Sequence, residues 1–191
     1  MLNIILFGPP GAGKGTQSEK IIAQYKLTHI ATGDLFRKHL GEGTALGKLA
    51  QKYMDEGNLV PDQVVIGMVD EKLKENKNSN GFIFDGFPRT VPQAEALETL
   101  LNEKGEAIAG MIALDVPEEE LKKRIKERGK TSGRADDQDE QKIENRIKVY
   151  ADETLPVANY FDQKGKFVKI EGVGTIDEIF KSISNEIDKL K

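Results

Sequence analysis

The stretch Gly8-Pro9-Pro10-Gly11-Ala12-Gly13-Lys14-Gly15-Thr16 constrains the fold of this chain more than any other. It follows the apolar run Ile4-Ile5-Leu6-Phe7 and opens an amphipathic segment, Lys14 to Tyr25, with Ile21 and Ile22 facing the core. Gly8, Gly11 and Gly13 let the backbone wrap with several N–H groups pointing inward, and the helix start adds its positive end. The spacing Gly8-x4-Gly13-Lys14 is the P-loop pattern, in which the lysine supplies a mobile cation for terminal phosphates. One position departs from it. Gly15 stands where the pattern has Ser or Thr, and the hydroxyl arrives one residue later at Thr16. A metal ion at this loop is therefore expected to be held through water.

The rest of the chain alternates short apolar runs with helical stretches. Asn3–Phe7, Thr28–Ala31, Phe82–Phe84, Met111–Val116 and Phe167–Ile170 read as strands. Three of them are apolar without alternation, as expected when helices cover both sheet faces. Thr28–Ala31 is weak alone and is accepted because the alternation needs a strand there. Pro117 opens a helix with Glu118 to Glu120 at its positive end, Leu121 and Ile125 on its core face, and Gly129 as its stop. Asp177–Leu190 carries Ile179, Phe180, Ile183, Ile187 and Leu190 at helical spacing. The alternation predicts an α/β protein with a doubly wound parallel sheet. Residues 32–60, helical and punctuated by glycine, and 129–140, polar without a core pattern, fit this scheme badly and read as surface loops or mobile functional insertions.

Composition narrows the function classes. In 191 residues, 38% are hydrophobic and 31% charged, and the net charge is −4. That balance argues against binding nucleic acid through a broad cationic face. No apolar run reaches the roughly 18 residues of a membrane span, and Met1–Phe7 lacks the basic flank of a secretory leader. The chain has no cysteine, which excludes thiolate metal sites and fits a reducing, cytoplasmic setting. The 28 basic residues divide into 22 lysines and only six arginines: Arg37, Arg89, Arg124, Arg128, Arg134 and Arg146. Arginine offers phosphate a rigid bidentate fork, so a chain that solubilises itself with lysine can reserve arginine for that task. A Lys-biased genome would instead leave the arginines scattered.

Asp85 closes the apolar strand Phe82–Phe84. It reads either as a carboxylate holding the waters of Mg²⁺ or as a cap before a turn; Asp34 is a second, weaker metal candidate. His29 and His39 show no partner pattern and read as surface or strand-end residues.

Six segments in order, GPPGAGKGTQ (8–17), ATGDLFR (31–37), GNLVPD (57–62), DGFPRTVPQ (85–93), ERGKTSGRADD (127–137) and EGVGTIDEIF (171–180), resemble the adenylate kinase family over essentially the whole chain. The resemblance implies a P-loop nucleoside triphosphatase fold, a five-stranded parallel sheet flanked by helices. It implies a core of residues 1–30, 61–128 and 140–191, an AMP-binding insert over 31–60 and a lid over 129–139. The reaction implied is MgATP + AMP ⇌ 2 ADP in a monomeric enzyme with ATP, AMP and ADP as its partners. The lid has none of the four cysteines that clamp zinc in long-lid relatives, so the short-lid form and no structural zinc are expected.

The family pattern also assigns roles. Gly11, Ala12, Gly13, Lys14, Gly15 and Thr16 would hold ATP with Arg124, Arg128 and Gly174. Thr32, Arg37, Asn58, Leu59, Val60, Gly86, Phe87, Pro88, Arg89 and Gln93 would hold AMP. Arg134 and Arg146 would close over the transferring group. Lys14, Arg89, Arg128, Arg134 and Arg146 would be catalytic. Arg124 and Arg128, four residues apart, share one helix face, which a solvated basic face would also produce. Gln93 could pair with the adenine edge or lie on a helix surface. Thr90 favours AMP, because relatives acting on UMP and CMP resemble GFPRN; those acceptors remain the alternative. A phosphate acceptor is already anionic at neutral pH, so no general base is needed. A GTPase-type switch would need an Asn-Lys-x-Asp reader, and Asn76-Lys77-Asn78-Ser79 lacks the aspartate.

Overall fold

Five strands form one wholly parallel sheet: β1 (Leu2–Phe7), β2 (Thr28–Ala31), β3 (Gly81–Asp85), β4 (Gly110–Asp115) and β5 (Phe167–Glu171). A computed structural model describes residues 1–191. The sheet order is β2-β3-β1-β4-β5, and all pairings are parallel. The chain leaves β1 toward one edge of the sheet and β4 toward the other. The crevice at the carboxyl ends of these strands is where such folds receive ligands.

Nine α-helices connect the strands: α1 (Lys14–Tyr25), α2 (Thr32–Gly41), α3 (Ala45–Met54), α4 (Asp62–Glu75), α5 (Val91–Asn102), α6 (Glu118–Ser132), α7 (Glu140–Val149), α8 (Leu155–Asp162) and α9 (Ile176–Lys189). Successive strand residues face opposite layers. Ile5, Phe7, Phe82, Phe84, Met111 and Ala113 meet α4, α5 and α8 on one side. Ile4, Leu6, Ile83, Ile112 and Leu114 meet α1, α6 and α9 on the other. Each fully buried side chain of this kind contributes about 1.5–3 kcal/mol, so the three central strands anchor the fold. β2 is an edge strand with two half-buried residues, which explains its weak pattern in the sequence. No helix is long and apolar enough to cross a membrane.

Within residues 32–60 lie α2 and α3, which pack on each other at Gly47. A Cβ there would lie 2.3 Å from the His39 carbonyl carbon. The expected stop at Gly129 is corrected. Helix α6 runs through it to Ser132 and ends on Gly133, whose φ is +65°. Gly129 serves packing instead of termination: a Cβ would meet the Asp137 carbonyl oxygen at 2.7 Å. Between α7 and α8 the helix widens into a single π turn, Tyr150–Thr154, just ahead of Pro156. Proline has no N–H to give the preceding turn, and a wider turn accommodates that loss.

Candidate functional site

The P-loop leaves the end of β1 and folds over the crevice. Gly11 and Gly13 adopt φ of +82° and +92°, which suits glycine alone. A Cβ on Gly11 would sit 2.8 Å from Ile125 Cγ1 of α6. Gly13 passes directly into α1, so the helix N-terminus opens on the loop. The Lys14 ammonium donates to the carbonyls of Gly8 at 2.9 Å and Pro9 at 3.1 Å. Burial pulls Lys14 down to about 8, and the nearby Arg89, Arg146 and Arg128 act in the same direction against Asp85.

Asp85 ends β3 in register with Leu6 of β1 and Ala31 of β2. Ser18 of α1 donates to its Oδ2 at 3.3 Å, and His29 Nε2 lies 3.5 Å from the same oxygen. Burial works to raise the Asp85 pKa, but the His29 ring and the Lys14 charge outweigh it and keep the carboxyl below its usual range. His29 therefore backs a site residue; its role was invisible in the sequence, where nothing pairs it with a residue 56 positions on.

One cleft of about 560 Å³ gathers these groups, and all six arginines line it. Clustered cations of this kind destabilise one another. Burial pulls Arg89 down to about 10, with Arg146 adding to the effect, which leaves it cationic at neutral pH. Arg134 is lowered by burial and by Arg37 and Arg128. Gly11, Gly13, Gly15, Thr16, Asn58, Leu59, Gly86, Phe87 and Pro88 also line the cleft. Asp34 lines it too, paired with Arg37 and 3.8 Å from Arg134. Arg124 is a strut: it binds Glu120 at 2.9 Å, the Ala12 carbonyl at 3.4 Å and the Gly172 carbonyl at 3.0 Å.

Five expected residues do not line the cleft. Ala12 and Val60 are buried in the core. Thr32 is buried and donates to the Gly86 carbonyl at 2.8 Å. Gly174 is exposed beside Glu178. Gln93 is 1% exposed; its Oε1 accepts from the Arg89 N–H at 2.8 Å and its Nε2 donates to Asp62 Oδ1 at 2.7 Å.

Sequence reasoning missed Asp137. Its buried carboxylate receives Arg128 Nε at 2.7 Å and Nη2 at 2.8 Å in a side-on fork, and Arg146 Nη1 at 2.7 Å. Burial favours its neutral form, but the two guanidiniums outweigh this and lower its pKa. Asp136 Oδ2 meets the same Arg146 nitrogen, Nη1, at 3.0 Å. The two carboxylates thus orient two cleft arginines, and the only signal for them was the acid pair after Arg134. Gly129→Ala would push the Asp137 backbone off this arrangement. The expected result is a loss of about 1–3 kcal/mol in denaturant unfolding together with a lower kcat; unchanged values for both would refute the packing role.

The arrangement is a cationic cleft with the glycine-rich loop at one wall and a low-pKa carboxylate, Asp85, beside it. The family model described as "Adenylate kinase" matches residues 6–166. The chain belongs to the adenylate kinase family. Curated relatives of that name agree along the entire chain. The one from Flavobacterium psychrophilum is 51% identical over 190 residues, covering all of both chains. That from Bacteroides fragilis is 50% identical with the same coverage, and that from Porphyromonas gingivalis is 46% identical over all of this chain and 98% of its own. No group of three or more His, Cys, Asp or Glu is placed to hold a metal ion.

Lys14 gives this adenylate kinase family site a pH signature. The free protein would lose the ammonium as pH rises through about 8, whereas phosphates held against it would favour the charged form and raise that pKa. We expect kcat/KM for ATP to fall above pH 8 while kcat holds to higher pH, since the former reports free enzyme and the latter the complex. Profiles that fall together would contradict this.

Proposed function

We propose that the cleft holds two nucleotides tail to tail and passes a phosphoryl group between them without a general base. The overall reaction is that of the family, ATP + AMP ⇌ 2 ADP. The convergence of Lys14 and six arginines on one cleft is the observation that carries this reading. Two polyanions repel each other, and fixed cations offset that repulsion most where charge develops in transfer. Holding the reactants in line contributes about 7–11 kcal/mol more.

On this reading the P-loop with Arg124, Arg128 and the backbone near Gly174 takes ATP. Residues 31–60 form the AMP-binding insert, with Arg37 and Arg89 on the AMP phosphate and Asn58 to Val60, Gly86 to Pro88, Thr32 and Gln93 around the base and sugar. Residues 129–139 form the lid, which brings Arg134, with Arg146 beside it, over the transferring group and excludes water that would otherwise accept the phosphoryl. Thr32, Val60 and Gln93 are buried and do not line the cleft, so on this reading they would act from behind its lining residues.

Mg²⁺ would accompany ATP. Asp85 suits it: the carboxylate is kept ionised beside Lys14 and lines the cleft. A lone aspartate fits an ion carried mainly by phosphates and water, and the ion would neutralise phosphate charge there. Asp34 would have to release Arg37 to contribute. The resemblance to the family supports a monomer, and the cysteine-free, net-acidic composition supports a cytoplasmic protein that binds neither nucleic acid nor membrane. A coupled assay with MgATP and AMP, UMP, CMP or GMP tests the proposal. ADP should form fastest with AMP; a preference for UMP or CMP would favour the pyrimidine reading, and no product with AMP would end the proposal.

A further inference from the structure

The Gln93 amide is fixed by neighbours whose hydrogen-bonding roles cannot reverse. The Arg89 backbone N–H can only donate, and it meets Oε1 at 2.8 Å. The Asp62 carboxylate, when ionised, can only accept, and it meets Nε2 at 2.7 Å. Thr90 completes the arrangement. Its hydroxyl donates to the same Asp62 oxygen at 3.0 Å and accepts the Gln93 N–H at 3.3 Å, capping α5 as it does so. Turning the amide over would set NH₂ against N–H and oxygen against carboxylate, losing both bonds and creating two repulsions. The polarity of this amide therefore follows from its partners alone. One Nε2 hydrogen and one Oε1 lone pair stay uncommitted.

We infer that Asp62 is a positioning residue that locks the polarity of the Gln93 amide, and thereby makes the acceptor site choose a 6-aminopurine over a 6-oxopurine. The inference rests on the reading above in which Gln93 meets the acceptor base. Adenine presents an N6 donor beside an N1 acceptor; hypoxanthine and guanine present an O6 acceptor beside an N1 donor. The two edges have the same shape and opposite polarity. A freely turning amide would serve either, whereas a locked one serves one and leaves its buried groups opposed to the other. Thr90 acts in the same circuit, since its hydroxyl holds Asp62 in place without itself lining the cleft.

AMP and IMP differ only at this edge, so their ratio of kcat/KM with saturating MgATP reads the lock. The unaltered enzyme should prefer AMP by about 100-fold or more, as sites built around buried hydrogen bonds do. In Asp62→Asn the new amide can face either end of Gln93, and the AMP preference should drop about tenfold, the worth of one ordinary hydrogen bond. Asp62→Ala removes the carboxylate half of the lock and leaves the Arg89 N–H half, with a residue that helices tolerate well; it should lower the ratio likewise, so the test survives if one variant fails to fold. A ratio unchanged in both variants, or AMP and IMP reduced by the same factor, would mean that Asp62 only supports the fold and would overturn the inference. So would an unaltered enzyme that uses IMP as readily as AMP. Gln93→Leu separates the two layers. If it leaves KM for AMP unchanged, Gln93 does not meet the base and both readings fall. If it raises KM for AMP while the Asp62 variants keep the ratio, only the role of Asp62 falls.

Discussion

Replacing Lys14 by methionine should lower kcat about 10²–10³-fold and leave the melting temperature of the free protein nearly unchanged. The two halves of this expectation have separate causes. Lys14 is a half-buried cation among Arg89, Arg128 and Arg146, and its ammonium is disfavoured there enough to bring it to about 8. Methionine fills much of the same volume without the charge, so the fold gives up only two hydrogen bonds to the carbonyls of Gly8 and Pro9. The transition state loses more. Removing one preorganised electrostatic contact typically lowers kcat about 10²–10³-fold. Calorimetry and a steady-state assay on the same preparation check both parts. A fall in Tm of more than about 4 °C, which exceeds 1 kcal/mol in a domain of this size, would make Lys14 a structural strut instead.

The second large effect is expected at Arg89. Its Nε donates to the Gly86 carbonyl at 2.7 Å, which aims the two remaining nitrogens of the fork into the cleft. Gly86 is needed for this approach, since a Cβ there would lie 2.9 Å from Arg89 Nη2. Arg89→Ala should raise KM for AMP and also lower kcat, each by about 10²-fold, because the contact serves both ground and transition states. Arg89→Lys should recover little, as an ammonium has no Nε to anchor and no fork to present. A defect confined to KM for ATP would reassign this arginine to the donor nucleotide.

The sequence was most informative where a function is encoded in contiguous residues. The P-loop, the apolar strands β1, β3 and β4, and the carboxylate closing β3 could all be read locally, because each depends on neighbours within a few positions. The arginine count pointed to a shared site for a different reason: scarcity made each occurrence meaningful. What escaped depends on partners far along the chain. Asp137 matters because Arg128 and Arg146 reach it from two helices, and His29 because β2 runs beside β3. Gly129 was misread because a glycine that ends a helix and one that admits a neighbouring backbone look alike in one dimension.

That wide turn, Tyr150–Thr154, has a mechanical consequence. A register with one surplus residue is a compliant joint, and bends in long helices concentrate at such places. On its near side α7 carries Arg146; on its far side Val157 and Phe161 of α8 are sunk in the sheet layer. On the proposed reading, a pull on the Arg146 guanidinium would be taken up as flexure at this joint, and the hydrophobic foundation under α8 would stay still.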